Sequence, residues 1–404
     1  MRGANLTGRS MFGGKSEPVP IMRPGLTARQ TRSKTNAMAG MTYSGAGVDY
    51  GGLDAFKRMC QSLGAGTTAA LAQHAVSEVP GVRGESAYLL ETADAYWAHV
   101  EEGLGTKNLV ADVVGQLTGK CYYRSIGIDT VATIVNDMVT VGALPLSVAM
   151  HAGVGDADWF SDQARAAELA AGFAEGCRLA GAAWGGGETP ALRGLIEPGT
   201  IVLAGSSIGR ISPKSHRIAG RLADGDAIVF LASNGVQTNG LTLCRALADR
   251  LADGYRTTMA DGRMYGESLL DASAIYVPFV AACQKRGITL KYTAHITGHG
   301  WRKLMRLSEP WVYRITQMRP MPELFRFIID AGKMDLAEAY GTFNMGAGFA
   351  AYIAPADVDA VLSEARSCGI DAWQAGNVIR HGDRKAVEIV PLGIEFDGST
   401  MAVR

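Results

Sequence analysis

The chain lacks any apolar run long enough to cross a bilayer, which excludes a membrane-spanning helix. It has no excess charge of either sign. Lysine plus arginine (39) balances aspartate plus glutamate (39), which argues against a broadly basic nucleic-acid surface. Its six cysteines (Cys60, Cys121, Cys177, Cys244, Cys283, Cys368) form no Cys-x-x-Cys pair and no metal-finger spacing. Several fall in apolar stretches, so they read as small hydrophobes in a reducing cytoplasm. No His-Glu-x-x-His pattern marks a zinc site, and no nucleophile elbow or Ser-His-Asp order supports covalent catalysis. No short-period repeat is present.

What the chain has is glycine, 51 residues in 404, concentrated where apolar runs end. A hydrophobic fraction of 47% against 19% charged residues is enough for a large buried core, and the length suggests two domains. Residues 1–40 stand apart, with seven basic residues against the single acid Glu17 and no apolar periodicity. They read as a disordered extension, an upstream start or added sequence, with an Arg- and Ser-rich transit peptide as the other reading.

Beyond residue 40, strands and helices alternate. Helices are expected over 53–71, 130–141, 161–180, 241–252, 322–332 and 355–368. Strands are expected over 86–92, 95–100, 146–151, 200–209, 226–232, 289–294, 311–317, 344–353 and 372–379. The polar, basic segment 212–221 divides the chain, giving an N-terminal domain over 41–211, a C-terminal domain over 220–392 and a tail over 393–404. Each half mixes strands with helices, so an α/β or α+β architecture is expected.

Four constellations carry chemistry. Glu102-Gly103-Leu104-Gly105-Thr106-Lys107 ends a strand in a glycine loop closed by a lysine. Glycines let backbone N–H groups close on an anion, a lysine adds a point charge for phosphate, and a carboxylate can hold magnesium. The spacing is neither the Walker pattern nor the dinucleotide fingerprint, and a plain tight loop explains it equally. Asp129 and Asn136, seven residues apart, share one helix face, with Asp137 beside them. They are either magnesium ligands or an N-cap followed by a solvated face. Gly185-Gly186-Gly187-Glu188 is a second glycine loop, which a C-cap and turn would also explain. The Ser233-to-Gly240 loop and His295-Ile296-Thr297-Gly298-His299-Gly300 each follow a strand, where open α/β sheets present ligands.

In order and spacing these stretches resemble the phosphoribosylformylglycinamidine cyclo-ligase (aminoimidazole ribonucleotide synthetase) family. So do Tyr43 to Asp49, Gly142-Ala143-Leu144-Pro145-Leu146, Ala174-Glu175-Gly176-Cys177 and Thr342-Phe343-Asn344. The resemblance implies a two-domain fold whose N-terminal domains pair through their sheets in a dimer. It also implies ATP-dependent ring closure of formylglycinamidine ribonucleotide. By position it makes Lys107 and His295 catalytic and Glu102, Asp129, Asp137 and Glu188 magnesium ligands. Gly103, Gly105, Thr106, Lys107, Asn136, Gly186, Gly187 and Asn239 would surround the nucleotide.

The chain departs from the family pattern in several places. Glu102 stands where the family usually has aspartate, Gln237 where it has histidine, Ser273 where it has arginine and His299 where it has glycine. The ATP half is better kept than the substrate half. A paralogous ATP-dependent enzyme acting on another amide, carboxylate or phosphate ester is therefore the alternative, followed by a non-catalytic nucleotide-binding protein. Selenophosphate synthesis and hydrogenase maturation are disfavoured, because neither an N-terminal loop cysteine nor a C-terminal cysteine is present.

Overall fold

Two mixed sheets organise the chain. The structure, a computed structural model, describes residues 40–42, 45 and 50–401. The expected extension up to residue 39, and positions 43, 44 and 46–49 of the first motif, lie outside these residues.

The first sheet contains β1 (Ser77–Glu78), β2 (Tyr88–Glu91), β3 (Tyr96–Gly103), β4 (Leu144–Val154), β5 (Ala183–Glu188) and β6 (Ile201–Ile211). Its spatial order is β1-β2-β3-β6-β4-β5, and all neighbours are antiparallel except β4 and β5. Helices α1 (Tyr50–Ala65), α2 (Lys107–Thr118), α3 (Tyr123–Val139) and α4 (Gln163–Leu179) belong to this half.

The second sheet contains β7 (Ala227–Ala232), β8 (Tyr292–His295), β9 (Val312–Ile315), β10 (Ala347–Ile353), β11 (Ala372–Ile379), β12 (Ala386–Ile389) and β13 (Ile394–Asp397). Its order is β13-β12-β9-β11-β7-β10-β8, antiparallel except between β12 and β9. With it go α5 (Leu241–Ala248), α6 (Tyr265–Ser268), α7 (Val277–Lys285), α8 (Glu323–Gly332), α9 (Leu336–Tyr340) and α10 (Val358–Ser367). This is the mixed α/β layout that the alternating pattern implies.

Helix α3 is buried nearly all round, its apolar Ile126, Val131, Ile134, Val135, Met138 and Val139 together with polar Asp129, Asn136 and Asp137, so it sits inside the fold. It packs on β3, β6 and α4. The α3–α4 crossing is close because both helices present glycine. A Cβ on Gly172 would lie 1.9 Å from the Arg124 carbonyl oxygen, and one on Gly127 would lie 2.4 Å from the Phe173 nitrogen. Strand β6 alternates core and outer positions, whereas Ala227 to Leu231 of β7 are buried on both faces, as a continuous apolar run requires.

Several boundaries differ from expectation for physical reasons. Helix α3 starts at Tyr123, not near residue 130, because Gly127 is used for contact with α4 rather than to break the helix. Asp129 is therefore in mid-helix and caps nothing. The 185–189 stretch is not a loop. Gly185, Gly186, Gly187 and Glu188 lie in edge strand β5, where a Cβ on Gly187 would meet the Met150 carbonyl oxygen at 2.2 Å. Strand β3 runs on to Gly103, so Glu102 sits at a strand end. Helices α2, α6, α7 and α9 and strands β12 and β13 were not expected from the pattern.

Candidate functional site

The end of β3 delivers Glu102 and Gly103 to a cavity of about 170 Å³, and the short turn Leu104-Gly105-Thr106 forms its wall. Gly105 turns there with φ of 79°, a left-handed conformation that glycine adopts without strain. From α3 come Thr133 and Asp137, one helical turn apart on one face. The loop after β7 contributes Thr238, Asn239 and Gly240, and the loop after β8 contributes Thr297. A second opening of about 470 Å³ shares Glu102, Asp137, Asn239 and Thr297, and adds Lys57, His299, Lys303 and Arg306. The two openings form one site between the two sheets' halves. A groove of about 1000 Å³ along α2 and residues 245–255 is lined by none of Glu102 to Lys107.

Two carboxylates face each other electrostatically in this site. Burial and the neighbouring Asp137 charge push the Glu102 carboxyl up to about 7, against the opposing charges of Lys303 and Arg306. Burial also acts to raise Asp137, but the His295 hydrogen bond and Lys303 outweigh it, and its carboxyl sits below the ordinary range. His295 Nδ1 lies 2.6 Å from Asp137 Oδ1, with both residues buried. Burial pulls the imidazole pKa down although Asp137 favours the charged ring. His295 is in the lining of neither opening. It holds Asp137 from behind rather than lining the cavity itself, where the resemblance had implied a catalytic residue.

Lys107 is also placed differently from expectation. Its side chain is fully buried, with Nζ 2.6 Å from Asp129 Oδ2 and 2.7 Å from the Asp271 carbonyl oxygen. Asp129 accepts hydrogen bonds from the Ser273 backbone N–H (2.7 Å) and hydroxyl (2.5 Å) through Oδ1. Burial drives the Asp129 carboxyl upward, and Lys107 and Ser273 oppose that shift. Asn136 accepts from the Tyr276 N–H and donates to the Ala274 carbonyl oxygen, both at 2.8 Å. Lys107, Asp129 and Asn136 thus belong to a buried seam that ties α2 and α3 to segment 271–276. None of the three lines either opening.

Gly186, Gly187 and Glu188 lie apart as well. In register, Gly103 faces Ala204, Ala204 faces His151, and His151 faces Glu188. Three strand spacings separate Glu188 from Gly103, about 14 Å, too far for shared coordination within one chain. The structure therefore gathers Glu102, Gly103, Gly105, Thr106, Asp137 and Asn239 from the expected set. It adds Thr133, Thr238, Thr297, Lys303 and Arg306. Lys303 and Arg306, three apart on a turn after a glycine loop, were the legible signal among these.

Among the described residues no group of three or more Asp, Glu, His or Cys side chains could by itself hold a metal. Glu102 and Asp137 nevertheless fit magnesium, which takes one or two carboxylates when phosphates and water supply the remaining oxygens. Burial first, and the Asp137 charge second, account for the upward shift of Glu102.

The sequence matches AIR synthase related protein, N-terminal domain, over residues 84–211 and AIR synthase related protein, C-terminal domain, over 223–388. It is 32% identical over 360 residues to phosphoribosylformylglycinamidine cyclo-ligase of Carboxydothermus hydrogenoformans, covering 87% of this chain and 99% of that relative. The chain belongs to the AIR synthase family. The protein of the same name from Methanothermobacter thermautotrophicus is 33% identical, with 76% of this chain and 86% of that relative covered. Among solved structures, AaThiL complexed with AMPPCP and TMP shares the AIR synthase fold with a TM-score of 0.52 and 12% identity, covering 76% of this chain and 88% of that one. A chain from the HypE–HypF complex aligns with a TM-score of 0.53 and 14% identity over 78% of this chain and 92% of that one.

Proposed function

We propose that the protein closes the imidazole ring of aminoimidazole ribonucleotide from formylglycinamidine ribonucleotide, consuming ATP; its relatives' name, phosphoribosylformylglycinamidine cyclo-ligase, supports the ring closure. The observation that carries this reading is the convergence of Glu102, Asp137, the Gly103-to-Thr106 turn and Asn239 on one cavity. In the proposed reaction the formyl amide oxygen attacks the γ-phosphorus of ATP and ADP leaves. The amidine nitrogen then attacks the activated carbon, and phosphate departs with the proton that nitrogen gives up. Such chemistry needs positioned reactants and neutralised charge more than a nucleophilic side chain. In this reading Glu102 and Asp137 would hold magnesium, which neutralises phosphate charge when bound. Backbone N–H groups of the glycine turn would orient the phosphates, and Asn239 with Thr238 would orient the acceptor. Support for a nucleotide comes from a fold neighbour crystallised with AMPPCP. The six free thiols suit a reducing compartment such as the cytoplasm.

We place a dimer on the outer face of the first sheet. Trp97, Val202 and Ile208 stand there 36%, 48% and 49% exposed, on the side of β3 and β6 opposite the buried positions. A Val202→Lys, Ile208→Lys protein that still elutes as a dimer would refute this.

The deciding experiment supplies Mg-ATP and formylglycinamidine ribonucleotide and follows ADP and the aminoimidazole product together. Equal amounts of both support the cyclo-ligase, and ADP without product refutes it. A paralogous enzyme with another acceptor is the second reading, favoured by the cationic wall of Lys57, Lys303 and Arg306. Gln237 and Ser273 do not favour it. Both are buried, Gln237 donating to the Tyr276 hydroxyl and Ser273 to Asp129.

A further inference from the structure

The cavity holds two carboxylates, so an anion entering it needs a cation other than Lys107, whose ammonium is sealed between Asp129 and the Asp271 carbonyl. Three of the four basic side chains on the cavity wall have commitments elsewhere. Arg306 donates to the Gly84 carbonyl oxygen at 2.8 and 3.0 Å and to the Ser86 hydroxyl at 2.7 Å. Lys57 lies 3.5 Å from Asp54, and His299 lies 3.9 Å from the same carboxylate. Lys303 differs. Its ammonium donates to Thr297 Oγ1, and among the described residues no carboxylate lies within ion-pairing distance of it. An ammonium has three donors, so two remain for a ligand. The short helix Gly300–Met305 that carries Lys303 is fixed by the buried Trp301, whose indole donates to the Asn344 carbonyl oxygen at 2.8 Å. The side chain is therefore held at the wall it shares with Glu102 and Asp137.

We propose that Lys303 is the cation that binds the phosphate group reacting or recognised in this cavity, the task the resemblance gives to Lys107. The inference deepens the proposed function, because it assigns a phosphate contact within the same site. A phosphate dianion could come from the γ-position of ATP or from the ribonucleotide's own phosphate. Nearness to Glu102 and Asp137 favours the γ-phosphate. Burial lowers the Lys303 ammonium's pKa, and the group is less heavily hydrated than a surface lysine.

The test compares wild type, Lys303→Met, Lys303→Arg and Lys107→Met, each checked for folding by circular dichroism. Binding of ADP, of AMPPNP with magnesium, of formylglycinamidine ribonucleotide and of its dephosphorylated nucleoside is measured by calorimetry. Loss of one charge-assisted phosphate contact should weaken binding about 10- to 100-fold. The expected result is that Lys303→Met weakens AMPPNP by that factor, leaves ADP within twofold, and is partly rescued by Lys303→Arg. Selective weakening of the ribonucleotide over its nucleoside would support the phosphate contact and assign it to the acceptor. Unchanged affinity for both phosphate ligands in folded Lys303→Met, or an AMPPNP-specific loss in folded Lys107→Met instead, would overturn the proposal. Wild-type AMPPNP binding without ring closure would remove the proposed function and leave this assignment standing.

Discussion

The Lys107 ammonium lies 2.6 Å from Asp129 Oδ2, with both side chains fully out of water. A buried ion pair of this kind is costly to break, because removing one partner leaves the other charged and desolvated. Lys107→Met and Asp129→Asn should each lose about 3–5 kcal/mol of stability in urea titrations. Lys107→Met combined with Asp129→Leu should lose less than the sum of the single changes. A Lys107→Met protein as stable as wild type, with impaired nucleotide binding, would show that the lysine works in the cavity after all.

Glu102→Gln and Asp137→Asn address the cavity itself. Each should cut magnesium-dependent turnover by about 100-fold or more, since charge neutralisation carries phosphoryl transfer. Glu102→Gln should lower the midpoint of thermal unfolding little, because it removes one of two buried carboxylates whose charges repel. A full-activity Glu102→Gln enzyme would move the metal elsewhere.

His295 acts through Asp137, at 2.6 Å. His295→Ala should destabilise the protein by about 1–3 kcal/mol, the cost of leaving a buried acceptor unpaired. Its activity loss should be smaller than that of Asp137→Asn, and His295→Asn should restore part of it. An activity loss exceeding that of Asp137→Asn, at unchanged stability, would instead make His295 a proton carrier.

His299 makes the fold sensitive to acid. Burial, with Lys303 next, holds its imidazole down to about 4 from an ordinary 6.5. Between those values the unfolded chain holds a proton that the folded chain lacks, so stability falls as pH drops through that window. The loss from this group amounts to about 3 kcal/mol at the bottom of the window. His299→Asn, which suits the residue's φ of 71°, should flatten that part of the pH profile of unfolding. An unaltered profile would exclude His299 as the source.

Gly127 and Gly172 set the approach of α3 to α4. Gly127→Ala should be strongly destabilising, because the added methyl would stand 2.4 Å from backbone and no side chain can give way. Gly181→Ala is the contrast: its Cβ would meet nothing, and only its φ of 65° opposes it. Equal losses from both changes would contradict the close-crossing account.

The glycine turn, the flanking carboxylate and Asp137 were legible because each sits where a strand or helix end meets a loop, and local pattern marks such ends. The fate of Lys107 and Asp129 was not. Their partners, Asp271 and Ser273, lie more than a hundred residues away, and no local spacing shows that a lysine after a phosphate-like loop turns inward. Glu188 failed for the opposite reason. Three glycines read locally as a loop, but here they allow β5 to approach β4 closely. Gln237 and Ser273 stood out as departures from a pattern, yet only three dimensions show that both face the interior.

The seam between α3 and segment 271–276 also bears on how this chain can be divided. Asp129, beyond its ion pair with Lys107, and Asn136 and Asp137 find hydrogen-bond partners in the other half, as does Thr140, whose carbonyl accepts from Thr293 at 2.9 Å. Expressed without residues 212–401, the first half would present a row of orphaned carboxylates and amides along its central helix. Neither half is a detachable module: a proteolytic cut that releases one leaves buried polar groups of the other without their partners.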